Sequence, residues 1–241
     1  MTLLLFGLFF LFMLLGVPIA FAIGASTLYA LYQSGVPLMV VTQQMFQGIN
    51  SFALVAIPMF ILAGDLMAQG KVSEKLVSFA DSLVGFMRGG LSVVSVMAGM
   101  FFAAISGSGA ATTAAVGSSL VPELKRKGYD PASAASLIAA SGTIGVVIPP
   151  SVPMIIYAVI AQQSVSKLFL NGFLPGLAMG LGLMAIAIAQ AYKRQYPKGT
   201  PLALATIWTT FKDASWGLMT PVIILGGIFS GIFTPSEAAV V

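Results

Sequence analysis

The chain has 241 residues, of which 58% are hydrophobic and only 7% are charged, and its formal net charge is +4. Because charged residues make up about a quarter of an ordinary soluble domain, this composition excludes a soluble globular protein and predicts an all-α polytopic membrane protein. The basic residues lie in short segments between apolar stretches. The positive charge therefore does not indicate a nucleic-acid partner, and the lipid bilayer is the expected surrounding.

An enzyme is disfavoured by the residue types that the sequence lacks. It contains no Cys and no His, which excludes disulfide frameworks, thiolate catalysis and zinc or haem sites built on those ligands. Seven Asp and Glu residues leave few candidates for acid–base chemistry. An intramembrane hydrolase stays a minor alternative, because no His exists to activate Ser106 or Ser108. We therefore predict no catalytic residues.

The apolar N-terminus is interpreted as a retained membrane segment, because no positively charged region precedes it. Residues Thr2 to Tyr32 allow two arrangements: one long helix kinked at Pro18, or two short helices that reverse at Gly16-Val17-Pro18. The single helix would be about 46 Å long, which exceeds a hydrocarbon core of about 30 Å. The reversal is therefore favoured. Val40 to Asn50 is expected to lie at the membrane interface.

A membrane span interrupted by Pro58 is predicted from Ser51 to Gln69. Asp65 within this span has two interpretations, a functional intramembrane group or a residue at the headgroup level near Lys71, and the second is preferred. From Lys71 to Arg88, apolar residues recur at helical spacing with charged residues between them. This pattern predicts an amphipathic interfacial helix that serves as a scaffold arm.

An uncharged segment from Gly89 to Val121 is bounded by basic residues, with Arg88 before it and Lys125-Arg126-Lys127 after it. The positive-inside rule places both flanks in the cytoplasm, so the segment is predicted to enter the membrane and return as a re-entrant helical hairpin. Leu91 to Ile105 forms about 22 Å of helix, which is enough to reach the middle of the membrane. The small residues from Ser106 to Gly109 are expected at the tip.

A proline-broken helix is predicted after the hairpin. Asp130 is the expected N-cap and Pro131 the first helical residue. The helix is expected to break over Gly142 to Pro153 and to resume from Met154 to Gln163.

Three further helical segments are predicted from the amino-acid composition of the rest of the chain. They are a span from Leu168 to Tyr192, an interfacial helix from Thr200 to Ser215 and a span from Trp216 to Phe233. Lys167 is expected on the external side. Thr234-Pro235-Ser236-Glu237 is typical of a capping turn that opens another helix, so we expect the sequence to be the first part of a longer protein.

These segments predict four parts of the chain. The parts are scaffold-type helices and an arm helix (1–88), a transport-type unit (89–165, with the hairpin at 89–121 and the broken helix at 131–165), a span and a second arm helix (166–215), and the start of a second repeat (216–241).

The two breaks are the candidate functional features. Half-helix C-terminal ends and unwound carbonyl groups coordinate Na⁺, whereas half-helix N-termini favour anionic substrate groups. Pro149 and Pro150 lack N–H groups and leave upstream carbonyls without donors. The alternative is close helix packing through small residues, with proline as a simple kink.

Several ordered motifs resemble those of a known family over essentially the whole chain. They are Phe52 to Gly64, Ser106 to Thr113, Gly128-Tyr129-Asp130, Gly145 to Ser151 and Gly231 to Ala239. With these motifs the chain resembles the large membrane (M) subunit of tripartite ATP-independent periplasmic (TRAP) transporters.

The resemblance implies the first inverted repeat of an elevator-type transporter, driven by Na⁺, in the bacterial inner membrane. The implied function is import of small organic acids, such as C4-dicarboxylates or sialic acid. The implied partners are a small four-helix membrane (Q) subunit and a periplasmic substrate-binding (P) protein. Two alternatives stay open: a permease like the divalent anion/sodium symporters, which acts without a binding protein, and a scaffold subunit that does not transport.

The resemblance also implies a site, carried over by motif. Sodium, the expected cofactor, would be held by Ser106 and Ser108 and by the backbone of Gly145, Ile148 and Pro150. The implied neighbours of the substrate are Gly109, Thr112, Thr113 and Thr143. Since the family is longer than this chain, the ligands of a second hairpin are expected beyond it.

Overall fold

A computed structural model describes residues 1–199 and 201–240, and the regular elements of these residues are all helices. The prediction of an all-α protein is therefore confirmed. The chain forms two compact units, Met1–Ser51 and Phe52–Val241. The helices are α1 (Thr2–Leu14), α2 (Ile19–Gln33), α3 (Met39–Ile49), α4 (Phe52–Gln69), α5 (Val72–Val84), α6 (Gly90–Ser106), α7 (Gly109–Arg126), α8 (Pro131–Thr143), a 3₁₀ turn (Ile144–Val146), α9 (Val152–Ile160), α10 (Val165–Lys193), α11 (Leu204–Phe229) and α12 (Pro235–Ala238).

In the first unit, α1 and α2 reverse as the sequence predicts. Gly16 has φ +79°, the left-handed conformation that ends many helices. The amide of Val17 donates to the Phe12 carbonyl and that of Gly16 to the Met13 carbonyl, both at 3.0 Å, which is a Schellman motif. The Ser34 hydroxyl lies 3.4 Å from the Met1 sulfur, so the end of α2 returns to the start of α1.

Two helices of the second unit, α4 and α10, are long and apolar enough to cross a membrane. Helix α4 contains Pro58 within a continuous helix, so the predicted interruption of this span is wrong. A proline removes one backbone hydrogen bond, and the remaining bonds of a membrane helix can keep it intact.

The prediction of a separate interfacial helix and span after residue 200 is also wrong. Residues Leu204–Phe229 form the single helix α11. Gly217 follows the expected boundary between Ser215 and Trp216 but lies inside the helix, where an added Cβ would be 2.6 Å from the Val72 side chain. Thr200, where the interfacial helix was expected to start, lies outside the described residues.

The arm helix α5 is shorter than predicted and is packed on one side. Leu76, Phe79 and Ala80 are buried in the main apolar cluster. The ring of Phe79 stacks on Phe101 of α6 with centroids 5.8 Å apart. The hydroxyl of Thr210 in α11 donates to that of Ser82 at 2.9 Å, so α5 lies between α6 and α11.

Helices α6 and α7 form an antiparallel pair. The start of α6, at Leu91, lines the same cavity as Arg126 at the end of α7. The connection between them consists of Gly107 and Ser108 alone, because α7 already begins at Gly109. This connection lies within the stretch from Ser106 to Gly109 that was expected at the tip, and α7 continues to Arg126 beyond the expected end of the hairpin at Val121.

The predicted caps of the later helices are confirmed. The Asp130 carboxylate accepts from the Ser133 amide at 2.9 Å, with Pro131 at the first position of α8. The Ser133 side chain and this amide, together with the Arg194 guanidinium 3.0 Å away, lower the pKa of the Asp130 carboxyl. Thr234 and Glu237 form a reciprocal capping box at the start of α12.

Candidate functional site

The hairpin tip and the break after α8 meet directly. The Val152 amide at the start of α9 donates to the Gly107 carbonyl at 3.2 Å. Gly107 has φ +58°, and a Cβ added to it would lie 2.5 Å from the Pro150 carbonyl oxygen. The two breaks therefore touch through backbone atoms at a position where only glycine fits.

A buried cluster of hydroxyl groups lies at the tip. The Thr112 hydroxyl donates to the Ser108 carbonyl at 2.8 Å and lies 2.8 Å from the Ser106 hydroxyl. The Ser106 hydroxyl also lies 3.3 Å from the Ser108 carbonyl oxygen, so both hydroxyls meet at the same carbonyl. Ser106 and Thr112 are 2% and 0% exposed. The cluster thus offers hydroxyl and carbonyl oxygens away from solvent, with no charged side chain among its members.

Two glycines of the second break face this cluster. A Cβ on Gly145 would lie 2.8 Å from the Thr112 hydroxyl and 3.0 Å from the Ser108 carbonyl oxygen. A Cβ on Gly142 would lie 2.9 Å from the Gly109 carbonyl oxygen and would overlap the Thr113 hydroxyl. The lack of a side chain at both positions lets the two breaks approach within van der Waals contact.

The prolines of the second break change its backbone hydrogen bonds. Pro149 and Pro150 have no N–H, so the carbonyls of Gly145 and Val146 lose the donors that would stand four residues on. The Ser151 hydroxyl replaces one of them and donates to the Val146 carbonyl at 2.6 Å. The Gly145 carbonyl has no backbone N–H four residues on to accept from, and Gly145 itself lies against the Thr112 hydroxyl.

Most of the predicted site residues come together at the contact between the breaks. The side chain of Ile148 packs in an apolar cluster with Val96, Ala103 and Ile144, and its amide donates to the Ile144 carbonyl at 2.9 Å, so the predicted backbone role of Ile148 depends on its carbonyl oxygen. Thr143 is exposed, and its hydroxyl donates to the Ala140 carbonyl at 2.7 Å. The residues gathered at the contact between the breaks are Ser106, Ser108, Gly109, Thr112, Thr113, Gly145 and Pro150.

Two residues of the site were missed from the sequence. Ser151 is fully buried and caps α9, and Ser151-Val152-Pro153 carries the signal of an N-cap followed by an early proline. Gly64 of α4 packs against the tip, where an added Cβ would lie 3.2 Å from the Ser106 Cα. No local pattern marks Gly64, because its role depends on a helix that follows 26 residues later.

The helix ends give the site two electrostatic sides. The C-terminal ends of α6 and of the 3₁₀ turn carry partial negative charge, whereas the N-terminal ends of α7 and α9 carry partial positive charge. Among the described residues, no group of three or more acidic, His or Cys side chains could hold a metal ion. A cation bound at this place would therefore be held by neutral oxygens.

A family model described as "Tripartite ATP-independent periplasmic transporter, DctM component" matches residues 6–241. The chain belongs to this family. The resemblance inferred from the motifs is confirmed, and homologues in the family are named as transporter permeases, which are membrane proteins.

Three relatives illustrate the match. The isethionate TRAP transporter permease protein DctMQ of Oleidesulfovibrio alaskensis is 46% identical over 98% of this chain and 37% of its own length. The C4-dicarboxylate TRAP transporter large permease protein DctM of Rhodobacter capsulatus is 39% identical, over 99% and 58%. The sialic acid TRAP transporter permease protein SiaT of Haemophilus influenzae is 39% identical, over 95% and 37%. The chain thus spans about half the length, or less, of these relatives.

Proposed function

We propose that this chain is part of the permease of a sodium-coupled secondary transporter that imports small organic acids. The observation that carries the proposal is the direct contact of two helix breaks around buried, uncharged oxygens. Broken backbone at membrane depth is tolerated where it lines a cavity or a binding site, and this is the arrangement that secondary transporters use.

In this proposal, Na⁺ lies at the negative ends of α6 and the 3₁₀ turn. Its ligands are the hydroxyls of Ser106 and Ser108 and the backbone oxygens of Gly145, Ile148 and Pro150. Thr112 joins this set as a positioning residue, since its hydroxyl contacts both Ser106 and the Ser108 carbonyl. Neutral oxygen ligands suit Na⁺, which needs no full negative charge in its shell.

The substrate is proposed to lie at the positive ends of α7 and α9. The proposed neighbours of the substrate are Gly109, Thr112 and Thr113, in the first turns of α7, and Thr143, the last residue of α8, where the second break begins. Helix N-termini attract carboxylates and other anions through free N–H groups. The names of the relatives include isethionate, C4-dicarboxylates, 2,3-diketo-L-gulonate and sialic acid, which supports a small organic anion.

We further propose that the hairpin is re-entrant and that it moves in an elevator mechanism as one unit with α8, α9 and α10. The charge pattern on both flanks of α6 and α7 supports re-entry. Close packing of α10 on the second break supports its inclusion in the moving unit, which extends the predicted unit 89–165 to about residue 193.

The proposed partners are a small four-helix membrane subunit and a periplasmic substrate-binding protein, and the proposed location is the bacterial inner membrane. Membership of the family supports both proposals. Uptake that proceeds without any binding protein would instead favour the alternative of a divalent anion/sodium symporter-like permease.

The test is sodium-driven uptake in proteoliposomes that contain the transporter assembled with this chain. Replacing Ser106 or Ser108 by Ala removes one proposed oxygen ligand, so the Na⁺ concentration for half-maximal uptake should rise about tenfold, as expected for one lost interaction of roughly 1.4 kcal/mol. Ser118→Ala is the matched control, because the exposed Ser118 hydroxyl in α7 donates only to the Ala115 carbonyl. An unchanged Na⁺ dependence in both site variants contradicts the assignment.

A further inference from the structure

A cavity of about 780 Å³ lies at the opposite end of the hairpin from the helix breaks. It is lined by the end of α5, the start of α6, the turn between α7 and α8 and the loop that follows α10. Its size is within the range of small-molecule sites. None of the proposed sodium or substrate residues lines it.

The charged side chains of this cavity are mainly basic. Arg126, Lys127 and Lys198 line it from two separate segments, and Asp81 is the one carboxylate in the lining. Arg126 and Lys127 also pair with Glu123, which lies outside the lining. Burial raises the pKa of the Asp81 carboxyl, and the positive charge of Lys127 partly offsets this rise. A net positive charge remains at the cavity even when Glu123 is counted.

The wall that carries Lys198 is held in place by backbone contacts. The Gly89 amide donates to the Pro197 carbonyl at 3.0 Å, and Arg88 and Lys198 form an antiparallel bridge. The rings of Tyr129 and Tyr196 pack against each other with centroids 4.1 Å apart and planes tilted by 36°. Gly199 lies against the Gly85 carbonyl, with no room for a side chain. The basic groups are therefore presented by a fixed rim, not by a free loop.

Part of the lining is apolar, through Leu91, Pro197 and Pro201. The basic flanks place this end of the hairpin on the cytoplasmic side of the membrane, beside the amphipathic helix α5. Basic pockets between helices on that side suit phosphate groups, and an apolar wall suits an acyl chain attached to such a group.

We propose that this cavity binds a phosphate group at the cytoplasmic membrane surface, held by Lys127 and Lys198 with Arg126 at the rim. The phosphate belongs to an anionic phospholipid headgroup or to a free phosphate ion. The proposal does not rest on sodium coupling, because the cavity and the helix breaks share no residue.

The test measures binding to the purified protein in neutral detergent by native mass spectrometry and by thermal unfolding. The probes are phosphatidylglycerol, phosphatidylcholine and inorganic phosphate at matched ionic strength. Phosphatidylglycerol should bind in preference to phosphatidylcholine, and the double variant Lys127→Gln/Lys198→Gln should weaken that binding on the order of thirtyfold. Stabilisation by inorganic phosphate that the same variant removes would identify the free ion as the source.

The matched control is Lys75→Gln/Lys125→Gln, which removes two exposed charges from the same predicted side but none from the cavity. It should bind like the unchanged protein, as should the charge-preserving Lys127→Arg/Lys198→Arg. Equal weakening in the Lys75/Lys125 control, or no effect of phosphatidylglycerol and phosphate, overturns the proposal.

Discussion

At the scale of single residues, the contact between the two breaks depends on Gly107. Its positive φ lets α6 end and α7 begin within two residues. Its missing side chain also makes room for the Pro150 carbonyl, while its own carbonyl accepts from Val152. One residue thus meets a conformational and a steric requirement together, which explains why the tip can lie against the second break.

Gly107→Ala should therefore destabilise the protein by about 2–3 kcal/mol, from about 1 kcal/mol of left-handed strain and the clash with Pro150. Gly128→Ala is the control, since Gly128 also has a positive φ, +80°, but no atom lies within 4 Å of an added Cβ. It should cost only about 1 kcal/mol. Unfolding in mixed micelles measures both, and equal losses would contradict the steric contact.

At the scale of elements, α10 packs on the second break through three glycines on one face. An added Cβ on Gly172 would approach Met154 and the Val147 carbonyl, one on Gly176 would lie 2.5 Å from Ile148, and one on Gly180 would overlap Met100. Residues four apart lie on one face of a helix, and small residues there let helix backbones approach closely in a membrane. These three glycines form a stripe along α10 that packs against α6 and against the second break, so these elements form one packed body.

Gly176→Val should destabilise the second unit by about 1–3 kcal/mol, because the added atoms would displace Ile148 next to the proposed sodium site. Gly182→Val on the same helix is the control, since Gly182 has no atom within 4 Å of an added Cβ. It should change the free energy of unfolding by at most about 0.5 kcal/mol. Similar losses in the two variants would rule out the stripe as a specific packing surface.

At the scale of the whole second unit, the basic residues that flank the hairpin lie together at one end. Lys127 and Lys198 line the same cavity, and the backbones of Arg88 and Lys198 form an antiparallel bridge. Both flanks of the hairpin therefore lie at the same end of this unit, as required of a segment that enters a membrane and returns. A straight crossing by α6 and α7 would place these flanks at opposite ends.

The chain offers a clean background for testing this topology, because it has no Cys. Single cysteines at Arg88 and Lys127 should share the same accessibility to a membrane-impermeant thiol reagent, and one at Lys167 should react from the other side. Labelling of intact and opened cells measures this. Opposite accessibility of positions 88 and 127 would contradict a re-entrant hairpin.

Four features could be predicted from the amino-acid sequence alone: the membrane class, the helix starts at Asp130 and Thr234, the reversal at Gly16 and the location of both breaks. Composition, capping residues and turn glycines act locally, so they can be read from neighbouring residues. The family could also be recognised from its ordered motifs. Local sequence reasoning failed where a glycine or a proline lies inside a continuous helix, as Gly217 does beside the expected boundary at Ser215-Trp216 and as Pro58 does in α4.

The way in which the two breaks contact each other could be found only from the folded structure. The contacts of Gly107 with Val152, of Gly145 with Thr112 and of Gly64 with Ser106 join residues that are far apart in the chain. No local pattern encodes them, because a glycine selected for close approach looks the same in sequence as one selected for a turn. The basic cavity at the base of the hairpin could not be predicted for the same physical reason. Its basic residues come from two segments, around Lys127 and around Lys198, that are about seventy residues apart in the chain.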